Sequence, residues 1–95
     1  MASYARSIAL TGSDQAASTA AGSYRGVALW NSHATNGSTV TLYDNASAAS
    51  GTVIDAFTLA AGTSASVLHD GIWCVNGIYV DIGGTGTVVG SVRIG

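Results

Sequence analysis

Lysine, glutamate and proline are missing from this chain of 95 residues, and arginine, aspartate and cysteine number only three, five and one. Charged residues make up 8% where a soluble domain commonly carries about 25%, while 47% of the residues are hydrophobic. So little surface charge implies that other protein covers the chain, which therefore reads as part of an assembly. Arg6, Arg25 and Arg93 are scattered and the formal charge is −2, so no basic stripe follows a phosphate backbone and nucleic acid is not an expected partner. The lone Cys74 excludes a disulfide framework and a multi-cysteine zinc site. No apolar run reaches the roughly 18 residues of a membrane span, and residues 1–12 hold no signal-like apolar stretch. The expectation is synthesis in the cytoplasm without a cleaved leader, and no membrane partner.

Without Glu or Lys, few groups are left for acid–base chemistry. His33 and His69 stand apart, with no His-x-His or His-x-x-x-His spacing to hold a metal. No Gly-x-Ser-x-Gly elbow presents any of the serines as a nucleophile. Cys74 sits within the apolar run Ile72-Trp73-Cys74-Val75 and reads as a buried, inert thiol. Asp44, Asp55, Asp70 and Asp81 form no Asp-x-Asp-x-Asp loop for calcium. Gly83 to Gly86 lacks dinucleotide-binding spacing and precedes a strand, so it reads as a turn. The expectation is a protein without enzymatic activity, cofactor or metal.

What is abundant is β-forming sequence. One domain fits the length. Tyr4 to Leu10 alternates as a short strand, followed by an Ala/Ser/Thr/Gly tract too poor in large apolar groups to anchor itself. Residues 1–23 are therefore expected as an N-terminal arm and 24–95 as the folded domain. Tyr24 to His33 is apolar on both phases, Val27 and Leu29 against Ala28 and Trp30, as in a strand buried on one face and docked on the other. Ser38 to Asp44 places Val40 and Leu42 inward and Thr39, Thr41 and Tyr43 outward. Val53 to Ala60, Ser64 to His69 and Ile72 to Val75 follow, with Asp70-Gly71 read as a turn. Ile78, Val80 and Ile82 alternate with Tyr79 and Asp81, and Val88, Val92 and Ile94 with Ser91 and Arg93. Short strands with a turn signal every 8 to 12 residues or so predict an all-β, antiparallel sandwich of jelly-roll type. Its edges carry neither Lys nor Pro, the residues that commonly block edge pairing, which again points to a homo-oligomer.

Tyr43 and Tyr79 fall on the polar phases of their strands, where amphipathic rings suit a protein interface or a sugar-binding face. Candidate interface residues are Tyr24, Trp30, Thr41, Tyr43, Trp73 and Tyr79.

The segments Tyr-Arg-Gly-Val-Ala-Leu-Trp-Asn-Ser at 24–32, Thr-Val-Thr-Leu-Tyr-Asp-Asn-Ala-Ser at 39–47, Thr-Leu-Ala-Ala-Gly at 58–62 and Asn-Gly-Ile-Tyr-Val-Asp at 76–81 carry a resemblance. Over about three quarters of its length the chain resembles small virion structural proteins of tailed bacteriophages. That resemblance implies a compact β protein such as a capsid decoration or cement protein, often trimeric, whose partners are its own copies and the major capsid protein or other virion proteins. The alternative is a small tail or fibre component, or a carbohydrate-binding receptor module using the Tyr43 and Thr41 face. The location it implies is the virion.

Overall fold

The computed structural model describes residues 5–95, and every regular element among them is a strand. In chain order these are β1 (Arg6–Ala9), β2 (Gln15–Ser18), β3 (Gly22–Asn31), β4 (Ser38–Tyr43), β5 (Val53–Leu59), β6 (Ser64–Cys74), β7 (Ile78–Gly84) and β8 (Val88–Ile94). They form two antiparallel four-stranded sheets packed on each other, with strand orders β1-β8-β3-β6 and β2-β7-β4-β5. We call the solvent-facing sides of these sheets face A and face B.

Alternation builds the core. Val27 and Leu29 of β3 and Val88, Val92 and Ile94 of β8 point inward from the first sheet. Val40 and Leu42 of β4 and Ile78 and Val80 of β7 meet them from the second. With a side-chain period of two, the intervening residues must line faces A and B. Each fully buried Val, Leu or Ile stabilises by roughly 1.5–3 kcal/mol, so these central strands carry the fold.

The structure departs from the sequence reading at three places. Residues 6–23, expected as part of an arm, contain β1 and β2, which complete the two sheets by pairing with β8 and β7. The small side chains of this tract give little burial, but its backbone is held by ladder hydrogen bonds, Ile8 and Leu10 pack against the core, and Ala17 is buried. Gln15 fastens the β1–β2 connection, its Oε1 accepting from the Thr11 N–H at 2.8 Å and its Nε2 donating to the Ala9 carbonyl at 3.0 Å. Residues 1–4, including Tyr4 of the first expected strand, lie outside the described residues.

Asp70-Gly71 is not a turn, because Ser64–Cys74 runs as one strand of 11 residues. Between the pairs Gly26↔Leu68 and Tyr24↔Ile72 the register shifts, so β6 accommodates this dipeptide as a bulge. Tyr24, expected at an interface, is fully buried. Strict alternation with inward Val27 and Leu29 would turn Tyr24 outward. A bulge at Arg25, where Tyr24↔Ile94 is followed by Gly26↔Arg93, reverses the phase and turns the ring into the core.

Candidate functional site

Directly paired residues of neighbouring strands share a face, so the register maps both outer surfaces. Across face A run the rows Ser64, Trp30, Val89; then Ser66, Ala28, Ser91, Ala9; then Leu68, Gly26, Arg93, Ser7. Trp73, opposite Ser23, lies beyond the last row. Trp30 is 51% exposed, Leu68 77%, Trp73 64% and Val89 40%. This is a large apolar investment facing solvent on a chain with few charges. An open groove of about 330 Å³ beside Trp30 is lined by Ala28, Ser64, Ser66, Val89 and Gly90, whose small side chains leave the indole standing proud.

Face B has a different chemistry. Tyr43 is directly opposite Tyr79, flanked by Val53 and Ala16. In the next row Thr41 is opposite Asp81, with Ala56 beyond it. Asp14 precedes β2 at the other side of Asp81 and fixes itself by accepting the Ile82 N–H on Oδ1 at 2.8 Å. Burial and then the neighbouring Asp14 carboxylate raise the Asp81 carboxyl above its ordinary range. Face B therefore presents two neighbouring carboxyl groups joined by a side-chain hydrogen bond, which adds to the upward shift of Asp81.

Of the six candidate interface residues, Trp30 and Trp73 therefore lie on face A, Thr41, Tyr43 and Tyr79 come together on face B, and Tyr24 lies in the interior. Leu68, Val89, Asp14 and Arg93 were not singled out from the sequence. Leu68 keeps the outward phase of Ser64 and Ser66, where one Leu among polar residues carries no signal, and the Asp14–Asp81 neighbourhood exists only through the β2–β7 pairing.

Tyr24 belongs to a polar tie across the open side of the sandwich. Its hydroxyl donates to Asp55 Oδ2 at 3.0 Å, and His69 Nε2 lies 3.1 Å from the same oxygen. The Tyr24 and His69 rings are 5.4 Å apart. Asp55 is on β5 and His69 on β6, so the cluster links the edge strands of the two sheets. Burial, followed by the hydrogen bond to Asp55 and its negative charge, pushes the Tyr24 phenol far above its usual range, and it remains a donor. Tyr24→Phe is expected to lower stability by about 1–2 kcal/mol, because Asp55 then keeps only His69. Urea unfolding followed by far-UV circular dichroism checks this, and an unchanged midpoint would contradict it.

The other polar candidates serve the chain itself. Asp44 accepts the backbone N–H groups of Asn76 at 2.8 Å, Val75 at 3.1 Å and Gly77 at 3.4 Å, holding the β6–β7 turn from the end of β4. These bonds, the one from Asn76 foremost, hold its carboxyl below the ordinary range. A lowered folded-state pKa stabilises the fold above the unfolded value near 4, and that contribution is lost as the pH falls through the folded value. Asp44→Asn is therefore expected to flatten the acid limb of the melting-temperature-versus-pH curve. A limb as steep as in the wild type would show that Asp44 is not its source.

His33 Nδ1 accepts from the N–H groups of Thr35 and Asn36, which places the ring proton on Nε2. Cys74 is buried, and burial foremost pushes its thiol up, away from the thiolate a nucleophile needs. Among the described residues no group of three or more His, Cys, Asp or Glu gathers as a metal site.

The chain matches no known family model, no curated protein and no solved structure. Its function must accordingly be argued from faces A and B.

Proposed function

We propose that this chain is a non-enzymatic structural protein of a phage virion, a capsid decoration protein that binds the outer shell as a homo-oligomer and stabilises it. The observation that carries the reading is face A. A chain with 8% charged residues turns Trp30, Leu68, Trp73 and Val89 to solvent on one sheet, a surface suited to burial against other protein. The resemblance of residues 24–32, 39–47, 58–62 and 76–81 to small phage virion proteins supports this kind of assembly. A jelly-roll fold belongs to the same reading. Strand orders β1-β8-β3-β6 and β2-β7-β4-β5 support it, with sequence neighbours β1 and β2, β2 and β3, β3 and β4 lying in opposite sheets.

The mechanism is mass action. A partner that binds only the assembled shell stabilises it by an amount that grows as the logarithm of its free concentration relative to Kd, and several linked copies add avidity. The test is cosedimentation of the purified protein with mature heads lacking it, together with its copy number in the virion. Saturable binding at hundreds of copies is expected on this reading, whereas no binding and a handful of copies would sink it. A tail or fibre receptor module is the second reading, favoured by the Tyr43–Tyr79 pair beside Thr41 and Asp81, a flat aromatic and polar platform suited to a sugar ring. A glycan array with no bound glycan would remove it.

A further inference from the structure

We propose that two copies of this chain join edge to edge through β6, antiparallel about a twofold axis at Ser66, so that Leu68 of each copy fills the groove beside Trp30 of the other. This dimer is the homo-oligomer of the reading above given a defined contact, and it forms without the shell.

The four sheet edges of the sandwich are not alike. β1 and β2 offer 4 residues each, and β5 carries Asp55 on its inward phase, opposite Leu42. Short edge strands and inward-pointing charges keep an edge from pairing. β6 has neither over residues 64–68, its regular stretch before the register shift, and among the described residues no strand pairs with its other side. This stretch holds no charge and no proline.

Backbone direction sets the register. Asn31 donates its N–H to the Thr63 carbonyl at 2.9 Å and accepts the Gly62 N–H at 2.9 Å, so its polar groups face β6. These groups alternate sides along a strand, hence Leu29 and Val27 also face β6 and bond with Ala65 and Val67, their register partners. The N–H and C=O groups of Ser64, Ser66 and Leu68 are thereby aimed away from β3, at the open edge. An antiparallel copy centred on Ser66, the middle of the stretch, sets Ser66 opposite Ser66 and each Ser64 opposite the other copy's Leu68. Outward-aimed groups then meet outward-aimed groups in about six hydrogen bonds. The pairing uses up the same edge in both copies, so the contact is self-complementary and closes at two.

Side chains fit the same register. Leu68 is 77% exposed on face A, and the groove of about 330 Å³ beside Trp30 is lined by Ser64 and Ser66, on the same edge. In the paired strands Leu68 of the other copy extends the row Ser64, Trp30, Val89, with only the small Ser64 between it and the indole. Strands stand about 4.8 Å apart, so an indole leaning over Ser64 reaches it. The twofold axis repeats the contact, and both leucines enter both grooves at once. On the inner side Val67 comes opposite Ala65 of the other copy, and these two half-buried residues at the margin of the core extend it across the axis.

Cross-linking with a register control is the test. Opposite residues of a hydrogen-bonded pair have Cα atoms about 5.5 Å apart, within the span of a disulfide. Full-length Ser66→Cys should therefore become a covalent dimer under oxidised glutathione. Ser64→Cys should not, because its two copies lie about 14 Å apart in this register. Cys74 is buried and common to both variants. Sedimentation equilibrium of the wild type should show monomer and dimer in an equilibrium indifferent to salt. Leu68→Lys should raise the dissociation midpoint by about tenfold or more, since the change enters both contacts, and unchanged far-UV circular dichroism shows that folding is not the cause. A monomer at every concentration, a trimer, equal cross-linking of the two cysteine variants, or a dimer that Leu68→Lys leaves intact would overturn the proposal. Heads that bind a chain monomeric in solution would leave the decoration reading standing and remove this one, whereas a cross-linkable dimer that binds no heads would do the reverse.

Discussion

Replacing Asn31 by Ala is expected to lower stability by about 3–5 kcal/mol, a large part of the roughly 5–15 kcal/mol that holds a domain of this kind. Asn31 ends β3 and is completely buried. Its Nδ2 donates to the carbonyls of Asn36 at 2.9 Å and Leu59 at 3.1 Å, while Oδ1 accepts from the N–H groups of His33 at 3.1 Å and Thr87 at 3.0 Å. An amide has two donor hydrogens and two acceptor lone pairs, and here all are used. One side chain thus ties the β3–β4 connection, the end of β5 and the β7–β8 connection. Its truncation strands backbone groups where water has little access, and each such group costs about 1–3 kcal/mol. Asn31→Asp is the sharper comparison. It keeps the acceptor, removes both donors and sets a negative charge against two carbonyl oxygens, so it should be at least as destabilising as Ala. Far-UV circular dichroism in urea is the suitable probe, since Trp30 and Trp73 are exposed in the native state and their fluorescence reports little. A loss below about 1 kcal/mol for Asn31→Ala would show that water replaces the amide without penalty.

Gly90→Ala is expected to prevent stable folding, or to lower stability by more than about 3 kcal/mol. Gly90 sits inside β8 with a φ of 132°, a region that L side chains rarely adopt, and an added Cβ would run into the backbone carbonyl of Ala28 on β3. Neither obstacle yields cheaply. Changing φ breaks the β8 ladder, and moving Ala28 shifts the central strand whose neighbours Val27 and Leu29 are core. Gly62 supplies the control, for its φ is 72° but nothing lies within 4 Å of an added Cβ. Gly62→Ala should cost only the conformational strain of about 1–2 kcal/mol, so the difference between the two variants isolates the collision. Equal thermal unfolding midpoints for both would refute the argument from the carbonyl of Ala28.

The regular parts of the fold were legible because burial on one face forces a period of two. In β4, β7 and β8 the inward residues are those the alternation selected, and Trp30 stands outward against inward Val27 and Leu29. Tyr24 misled because one bulged residue, Arg25, inverts a phase that the sequence shows as unbroken. β2 was invisible because Gln-Ala-Ala-Ser has no apolar period, and its strand form is imposed by the free edge of β7. Asn31 left no signal either, since an Asn at a strand end ordinarily marks a turn, and only the convergence of three distant segments turns its amide into a hub.

The chain's residues alone determined that this is an all-β protein, with its inward and outward phases and its scarcity of charge. These follow from composition and local periodicity, which each segment carries in itself. Tertiary structure decided which outward residues become neighbours: Tyr43 with Tyr79, Asp14 with Asp81, and the apolar row of face A on the opposite side from both. Pairing between strands far apart in sequence is set by how two sheets bury their inner faces together, a property of the whole chain that no single segment records.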